Sequence, residues 1–518
     1  MTALALRPWP SLRAPLVAAA LAVGATLASL RGVDLPAQLY RVSLFHRVGL
    51  TLWDSGWYGG HWTLNYSVLF PPVAGVLGVA ITEMLSAAAA ALAFDRLVTG
   101  HVGRGARVGS LLFAVGTLAQ VAIGQLPCLL GEALALGACW AATRGRWPAA
   151  WSLGTATALA SPLAGGFLAL AALAWSLSAR PDRRLRPAAL LIAAGIPMIG
   201  LSAVFPGQGT MPFPLLDSVW LLVLFSAVLV ALPPDERTLR TGLCLYLGAV
   251  ALSYLLATPV GGNISRLGEC LGAPLLVCGL WPRRRLLLAV GVLPLVLLQW
   301  VPALASFTSD RRDASVQPAY FRPLLGFLAR HGQPMGRVEV VPTRLHWEAA
   351  DVAPRVPLAR GWERQLDTAD NPIFYTPGAL TPASYRSWLL NNGVRWVALG
   401  DVALDYAGQA EALLLQRGAL GLVPAWHDAH WRVFAVSGST GIVDGPGRLL
   451  HLDAKGITLA ASSPGRLTVR VRASSHWALV TGRGCVASTP NGWISVDARS
   501  PGELSLAPQL GQGEQTSC

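Results

Sequence analysis

Long apolar runs crowd the first 300 residues of this 518-residue chain and then stop. A helix that spans a bilayer needs about 20 mainly apolar residues. Eleven stretches read as such helices, centred on 14–30, 67–93, 108–124, 126–143, 147–160, 163–179, 187–205, 217–232, 243–258, 270–281 and 286–304. The composition agrees: 53% of the residues are hydrophobic and 13% charged, against about 25% charged in soluble domains. An ordinary water-soluble fold is excluded, and so is a disordered chain. Arg7 and Arg13 before the first run resemble the start of a signal peptide. Ten further runs follow and no clear cleavage site does, so 14–30 reads as a retained helix.

The formal charge of +13 would on its own fit nucleic acid, an anionic membrane surface or an anionic substrate. Position decides between them. With the N-terminus inside, sixteen arginines fall in cytoplasmic segments, among them Arg7, Arg104, Arg283 and Arg284. The opposite loops hold Arg31, Arg41, Arg47 and Arg266. Basic residues concentrate in short cytoplasmic loops, so the expected protein is a multi-pass cell-membrane protein with a cytoplasmic N-terminus. An odd number of spans puts everything after about residue 305 outside the cytoplasm. The charge is then a topology signal, and no nucleic acid is expected as a partner. Only Lys455 is a lysine among the 40 basic residues. This excess reflects a GC-rich genome and says little about any single arginine.

Beyond residue 305 the chain reads as soluble. Across 305–436, helix-like runs (Tyr320–Arg330, Tyr385–Asn391, Gln409–Arg417) alternate with strand-like runs (Val338–Val341, Val394–Leu399, Trp431–Val436), which predicts an α/β domain. Across 437–518, short strands between turns (Arg466–Arg472, His476–Thr481, Gly492–Val496, Glu503–Leu506) predict a small β-sandwich. Cys128, Cys139, Cys244, Cys270 and Cys278 fall in apolar spans and read as packing residues. Cys485 and Cys518 lie in the external region, where a disulfide persists if it forms.

The longest external loop, about 31–66, is where chemistry is expected. Asp34 directly follows the first helix, and an amphipathic stretch, Leu35–Leu50, suits the membrane interface. Asp54 and His61 then sit among Trp53, Trp57, Tyr58 and Trp62. A carboxylate at the mouth of a membrane cavity can act as general base. Equally, Asp34 can cap the interfacial helix while the aromatic residues anchor it. Glu83 and Glu132 lie within apolar spans, where carboxylates are costly and point to a cavity, a pair or a proton path. In the tail, Arg360, Glu363, Arg364 and Asp367 either bind a glycan or form ion pairs. His427, Asp428 and His430 read as a turn.

Three stretches resemble the GT-C superfamily of polytopic glycosyltransferases, which use polyprenyl-phosphate-linked sugars. The first is the external loop beginning RGVDLPAQ, whose Asp34 stands where that family places its catalytic base. The second is GQLPCLLGEALALGACWAATRGRWPAAWSLGTATALASPLAGGFLAL (Gly124–Leu170), with a Gly-Gln turn and an Arg-Gly-Arg turn between helices; Ser161-Pro162 replaces the frequent Lys-Pro. The third is GGNISRLGE, whose Arg266 matches a basic residue that holds lipid phosphate. The segment PLARGWERQLD (Pro357–Asp367) looks like the external domains of actinobacterial members. The resemblance implies sugar transfer from a polyprenyl-phosphate donor to an envelope glycan or lipid acceptor, with inversion and Asp34 as base. Asp54, His61, Gln125, Arg266 and Glu269 are then the expected substrate-binding residues. A divalent cation at Asp54 and His61 is left open, since two ligands do not define a metal site. The competing classes are a transporter or lipid flippase, and a non-catalytic scaffold for envelope assembly.

Overall fold

The computed structural model describes residues 12–518 except 101–104, 208, 282–284, 333–334, 419–420 and 510–517. Arg7, Arg104, Arg283 and Arg284 therefore lie outside the described residues. The chain divides into two compact units. The first comprises residues 1–32, 67–204 and 212–307, and the second 33–66, 205–211 and 308–518.

The first unit is helical. Its elements begin with α1 (Arg13–Leu27); α2 (Leu35–Val48) follows in the chain but folds with the second unit. Next come α3 (Phe70–Leu77), α4 (Val79–Thr99), α5 (Gly105–Ile123), α6 (Leu126–Thr143), α7 (Trp147–Ala160) and α8 (Pro162–Ser178). The series ends with α9 (Leu185–Val204), α10 (Leu215–Ala231), α11 (Arg237–Leu255), α12 (Ser265–Leu280) and α13 (Arg285–Asp310). Ala14, Ala18, Ala22 and Ala25, spaced by four and three, line the buried face of α1 and pack with Ala87, Ala90 and Ala91 of α4. Side chains this small let helix backbones approach closely, the usual solution where lipid removes the hydrophobic drive between helices.

Each of the eleven expected stretches is occupied by helix. Among the described residues, five helices are long and apolar enough to cross a membrane, α5, α6, α9, α11 and the 291–310 part of α13, or six if a bent pair is one span. That pair is α3 and α4, which meet at 113°. The expected straight span over 67–93 is thus broken. Gly78 makes the corner at φ +88, a left-handed conformation that costs glycine nothing sterically.

The second unit has three parts. A short hairpin pairs β1 (Trp53–Asp54) with β2 (His61–Trp62). The α/β part carries α14 (Pro318–Arg330), β3 (Arg337–Val340), α15 (Glu348–Asp351), α16 (Arg364–Asp370), α17 (Pro382–Asn391), β4 (Val394–Gly400), α18 (Tyr406–Gln416), β5 (Leu422–His427) and β6 (Trp431–Val436). Its sheet runs β3-β4-β6-β5, with β3 parallel to β4 and the rest antiparallel. The last part has β7 (Val443–Asp444), β8 (Gly447–Leu452), β9 (Ile457–Ala461), β10 (Gly465–Arg472), β11 (Trp477–Thr481), β12 (Gly484–Ser488), β13 (Trp493–Ala498) and β14 (Gly502–Pro508). These form two antiparallel sheets, β12-β13-β10-β7 and β11-β14-β9-β8. Alternating side chains such as Leu467, Val469, Val471, Ile494 and Val496 fill the core of this sandwich. A Cys485–Cys518 disulfide ties β12 to the C-terminus.

The external loop is the connector within this unit. Ala37 and Tyr40 of α2, with Trp57 and Tyr58, belong to the α/β core beside Val338, Trp347 and Trp431. Trp53 belongs to the sandwich core. The apolar face of α2, expected on a membrane interface, therefore covers protein. Trp53, Trp57 and Tyr58 are core residues for the same reason, their large apolar area being buried in protein instead of at the membrane interface.

Candidate functional site

The site is built on α2 and the hairpin that follows it. Asp34 stands at the N-cap position of α2 with Pro36 in the first turn. It is buried, and its carboxylate makes no capping hydrogen bond, so the helix-cap reading of Asp34 does not describe its geometry. Spacings of four and three place Gln38 and Arg41 on the same face as Asp34.

Arg41 is the centre of a polar and aromatic cluster within the second unit. Its guanidinium lies 3.7 Å from the centre of the Tyr66 ring, with Trp57 at 5.5 Å and Trp362 at 5.7 Å. Nη2 pairs with Glu363 Oε1. Gln38 Nε2 donates to the Tyr66 hydroxyl at 3.2 Å. Trp362 Nε1 donates to the Val33 carbonyl, next to Asp34, at 2.8 Å. His61 stacks on Trp57, and its Nε2 lies 3.9 Å from Glu363 Oε1.

Four buried atoms of this cluster have no hydrogen-bond partner among the described residues: Gln38 Oε1, Arg41 Nη1, Trp57 Nε1 and His61 Nδ1. Native interiors leave few such groups, and an unmet buried donor or acceptor costs about 1–3 kcal/mol. Four in one cluster offer donors, an acceptor and flat rings together, a combination that suits a hydroxyl-rich ligand.

Asp54 has a different character. In the hairpin it is paired with His61. The Tyr40 hydroxyl donates to the Asp54 carboxylate from 2.8 Å to each oxygen, and the Gly56 amide donates to Oδ1 at 3.1 Å. Burial, with Asp54 beside it, pushes the Tyr40 phenol well above its ordinary pKa, so it stays a donor. Asp54 Oδ2 and His61 Nδ1 are 3.9 Å apart. Among the described residues the group with crowded metal-type ligand atoms is Cys485, Asp497 and Cys518, and its two cysteines are the disulfide.

Gln125, Arg266 and Glu269 belong to the first unit. Gln125 sits in the break between α5 and α6, after Gly124 at φ +90. Glu132 is partnered by Gln120, whose Nε2 donates to it at 2.6 Å. Arg266 and Glu269 lie almost one turn apart on α12; Ser265 Oγ donates to Glu269 at 2.6 Å. Arg266, Glu132 and Glu269 act electrostatically on the Cys128 thiol of α6. Four of these polar residues, Gln120, Glu132, Arg266 and Glu269, thus cluster where α5, α6 and α12 meet.

Of the tail residues, Glu363 joins the Arg41 cluster, while the others are internal ion pairs. Arg360 is buried and grips Asp367 with Nε at 3.0 Å and Nη2 at 2.5 Å from its oxygens. Arg364 clasps Asp405 at 2.9 and 2.7 Å. Asp428 accepts from the His430 and Trp431 amides, which makes that segment the expected turn.

No family model matches the chain, and no curated protein matches it. Among solved structures, the chain is similar to arabinofuranosyltransferase AftD from Mycobacteria, determined by cryo-electron microscopy, at 16% identity and a TM-score of 0.45. The match covers 98% of this chain and 60% of that one, so the chain spans less than two thirds of the length of this neighbour.

Proposed function

We propose that the chain is an integral membrane glycosyltransferase that moves a sugar from a polyprenyl-phosphate donor to an envelope glycan or lipid acceptor on the outer face. The observation that carries this reading is the Arg41 cluster: buried polar atoms without partners, ringed by Trp57, Tyr66 and Trp362, on the helix that Asp34 begins. The apolar helices of the first unit and a loop folded into the second support it.

In this mechanism the lipid phosphate departs as a stable anion and needs positive charge more than a proton. Arg266 supplies that charge. Asp34 takes the proton of the acceptor hydroxyl as that oxygen attacks the anomeric carbon, which gives inversion. Arg41 and Glu363 fix hydroxyl groups of the sugar, and the rings stack against its apolar face. Asp54, held by Tyr40 and Gly56, orients His61 against Trp57. Arg266, Gln125 and Glu269 are assigned to the donor.

The test is transfer of label from a radiolabelled polyprenyl-phosphate sugar by the purified protein. Asp34→Asn should lower the rate by about 10²–10⁴-fold, the usual worth of a general base, with an unchanged melting temperature. Wild-type activity in that variant would remove Asp34 from the mechanism. One observation favours a second reading, a lipid flippase: α3 and α4 form a broken helix with Glu83 buried on α4, as in transporters. Translocation of a lipid probe in sealed vesicles without added acceptor, and no transfer, would decide for it.

A further inference from the structure

Away from the Arg41 cluster, the second unit holds a pocket of about 430 Å³ lined by Ser309 in the last turn of α13, Arg312, Asp313, Arg344, Asp401 and His430. Its charges divide into engaged and available groups. Asp401 accepts from the Tyr320 hydroxyl at 3.0 Å and pairs with His430 Nδ1 at 2.9 Å. That pairing turns Nε2, the other ring nitrogen, away from Asp401. Asp313 Oδ1 accepts from the Ser315 amide and hydroxyl at 2.9 and 2.6 Å. The exposed guanidinium groups of Arg312 and Arg344 have no ion-pair partner among the described residues. Asp313 Oδ2 is buried without a hydrogen bond.

The position of these arginines is as telling as their chemistry. Arg312 follows the 291–310 segment, which is long and apolar enough to cross a membrane. Under the topology proposed above, on which this inference rests, that is the external end, where the charge bias of polytopic chains disfavours basic residues. Attraction to the C-terminal end of the α13 dipole would account for Arg312. It does not account for Arg344, which arrives from the loop after β3.

We propose that this pocket binds a phosphate-bearing headgroup at the outer membrane interface. Arg312 and Arg344 would take the phosphate oxygens through charge-assisted hydrogen bonds, and His430, when protonated beside Asp401, would donate a third from Nε2. The remaining Asp313 oxygen suits a hydroxyl donor, so a phosphoglycerol or similar hydroxylated headgroup fits better than a choline one. Phosphate is shared by a lipid headgroup and a soluble phosphate, and the experiment separates the two.

Full-length protein in a neutral maltoside detergent is titrated with phosphatidylglycerol or with diacylglycerol, and lipid retention is read by native mass spectrometry. Wild type should retain phosphatidylglycerol and release diacylglycerol. The Arg312→Gln, Arg344→Gln double variant should bind phosphatidylglycerol about thirtyfold more weakly, as expected for two lost cation contacts to phosphate. The Arg312→Lys, Arg344→Lys variant, which keeps the charges, should recover most of the loss and guards against misfolding. Displacement by inorganic phosphate at equal concentration would assign a soluble phosphate to the same site. Equal retention of phosphatidylglycerol by the folded glutamine variant and wild type would overturn the proposal. Asp34→Asn should leave retention unchanged, so the pocket and the transferase reading fail separately.

Discussion

Arg41 concentrates the chemistry of the second unit at a single side chain. It is buried, stacked on Tyr66, paired to Glu363, and still has Nη1 without a hydrogen bond. A planar fork can stack and pair at once, and an ammonium cannot. If the chain is the proposed transferase, Arg41→Lys should therefore behave nearly as badly as Arg41→Ala, with KM for the sugar donor raised about 10–100-fold by the loss of a charged hydrogen bond. A lysine variant with wild-type KM in the transfer assay would show that only charge matters there. Asp34, Asp54 and His61 are legible in the sequence because acidic and imidazole groups stand out in a nearly neutral, aromatic loop. Gln38 and Arg41 escaped the reading as site residues, although they share a helical spacing with Asp34, because α2 was expected to lie in the membrane interface. Glu363 stood out only as one of four tail charges that bind a glycan or form ion pairs, and Trp362 did not stand out; the pairing of Glu363 with Arg41, 322 residues away, is encoded by no local pattern.

At the level of elements, most helices and strands follow from periodicity. The runs around Tyr320, Tyr385 and Gln409 became α14, α17 and α18, and those around Val338, Val394 and Trp431 became β3, β4 and β6. Strands β8 and β12, which lack a clean alternation of burial, were not among the runs read as strands, and neither was β9, whose five residues alternate cleanly but are few. The break at Gly78 was hidden because a glycine within an apolar run reads equally well as a packing residue. The β1–β2 hairpin depends on Gly60 in a more demanding way: φ is +114, and a Cβ there would lie 2.1 Å from the Trp53 ring. Gly60→Ala should destabilise the second unit by about 1–3 kcal/mol or more from the backbone alone, visible as a lowered melting temperature.

The loop and helix starts around His346 supply a pH dependence. Burial opposes protonation of His346, yet Asp405 and Glu348 outweigh it and lift its pKa to about 9. Burial likewise lifts Glu411 to about 7. Both groups hold protons more tightly in the folded state, so their stabilisation is complete at low pH and is lost as pH rises. For His346 the window runs from its ordinary value of 6.5 to about 9. Thermal unfolding of the second unit should thus shift to lower temperature between pH 6.5 and 9, and His346→Gln should flatten that slope. A melting temperature that rises over this interval would contradict the assignment.

For the whole molecule, the Cys485–Cys518 bridge closes a 33-residue separation, which is worth about 3–4 kcal/mol in restricted unfolded-chain entropy. Cys518→Ser, or reduction, should lower the stability of the sandwich by that order, as read by denaturant unfolding with intact and reduced protein. The second unit is also assembled from three separated stretches of chain, 33–66, 205–211 and 308–518. This has a consequence for synthesis. Arg41 leaves the ribosome 322 residues before Glu363, which at roughly 5–20 residues per second amounts to about 15–65 s. During that interval the loop, with Trp53, Trp57 and Tyr58, lacks the core partners that residues 308–518 later supply. Newborn chains are then most vulnerable to proteases and most in need of a holding chaperone while translation of the helical half is still under way.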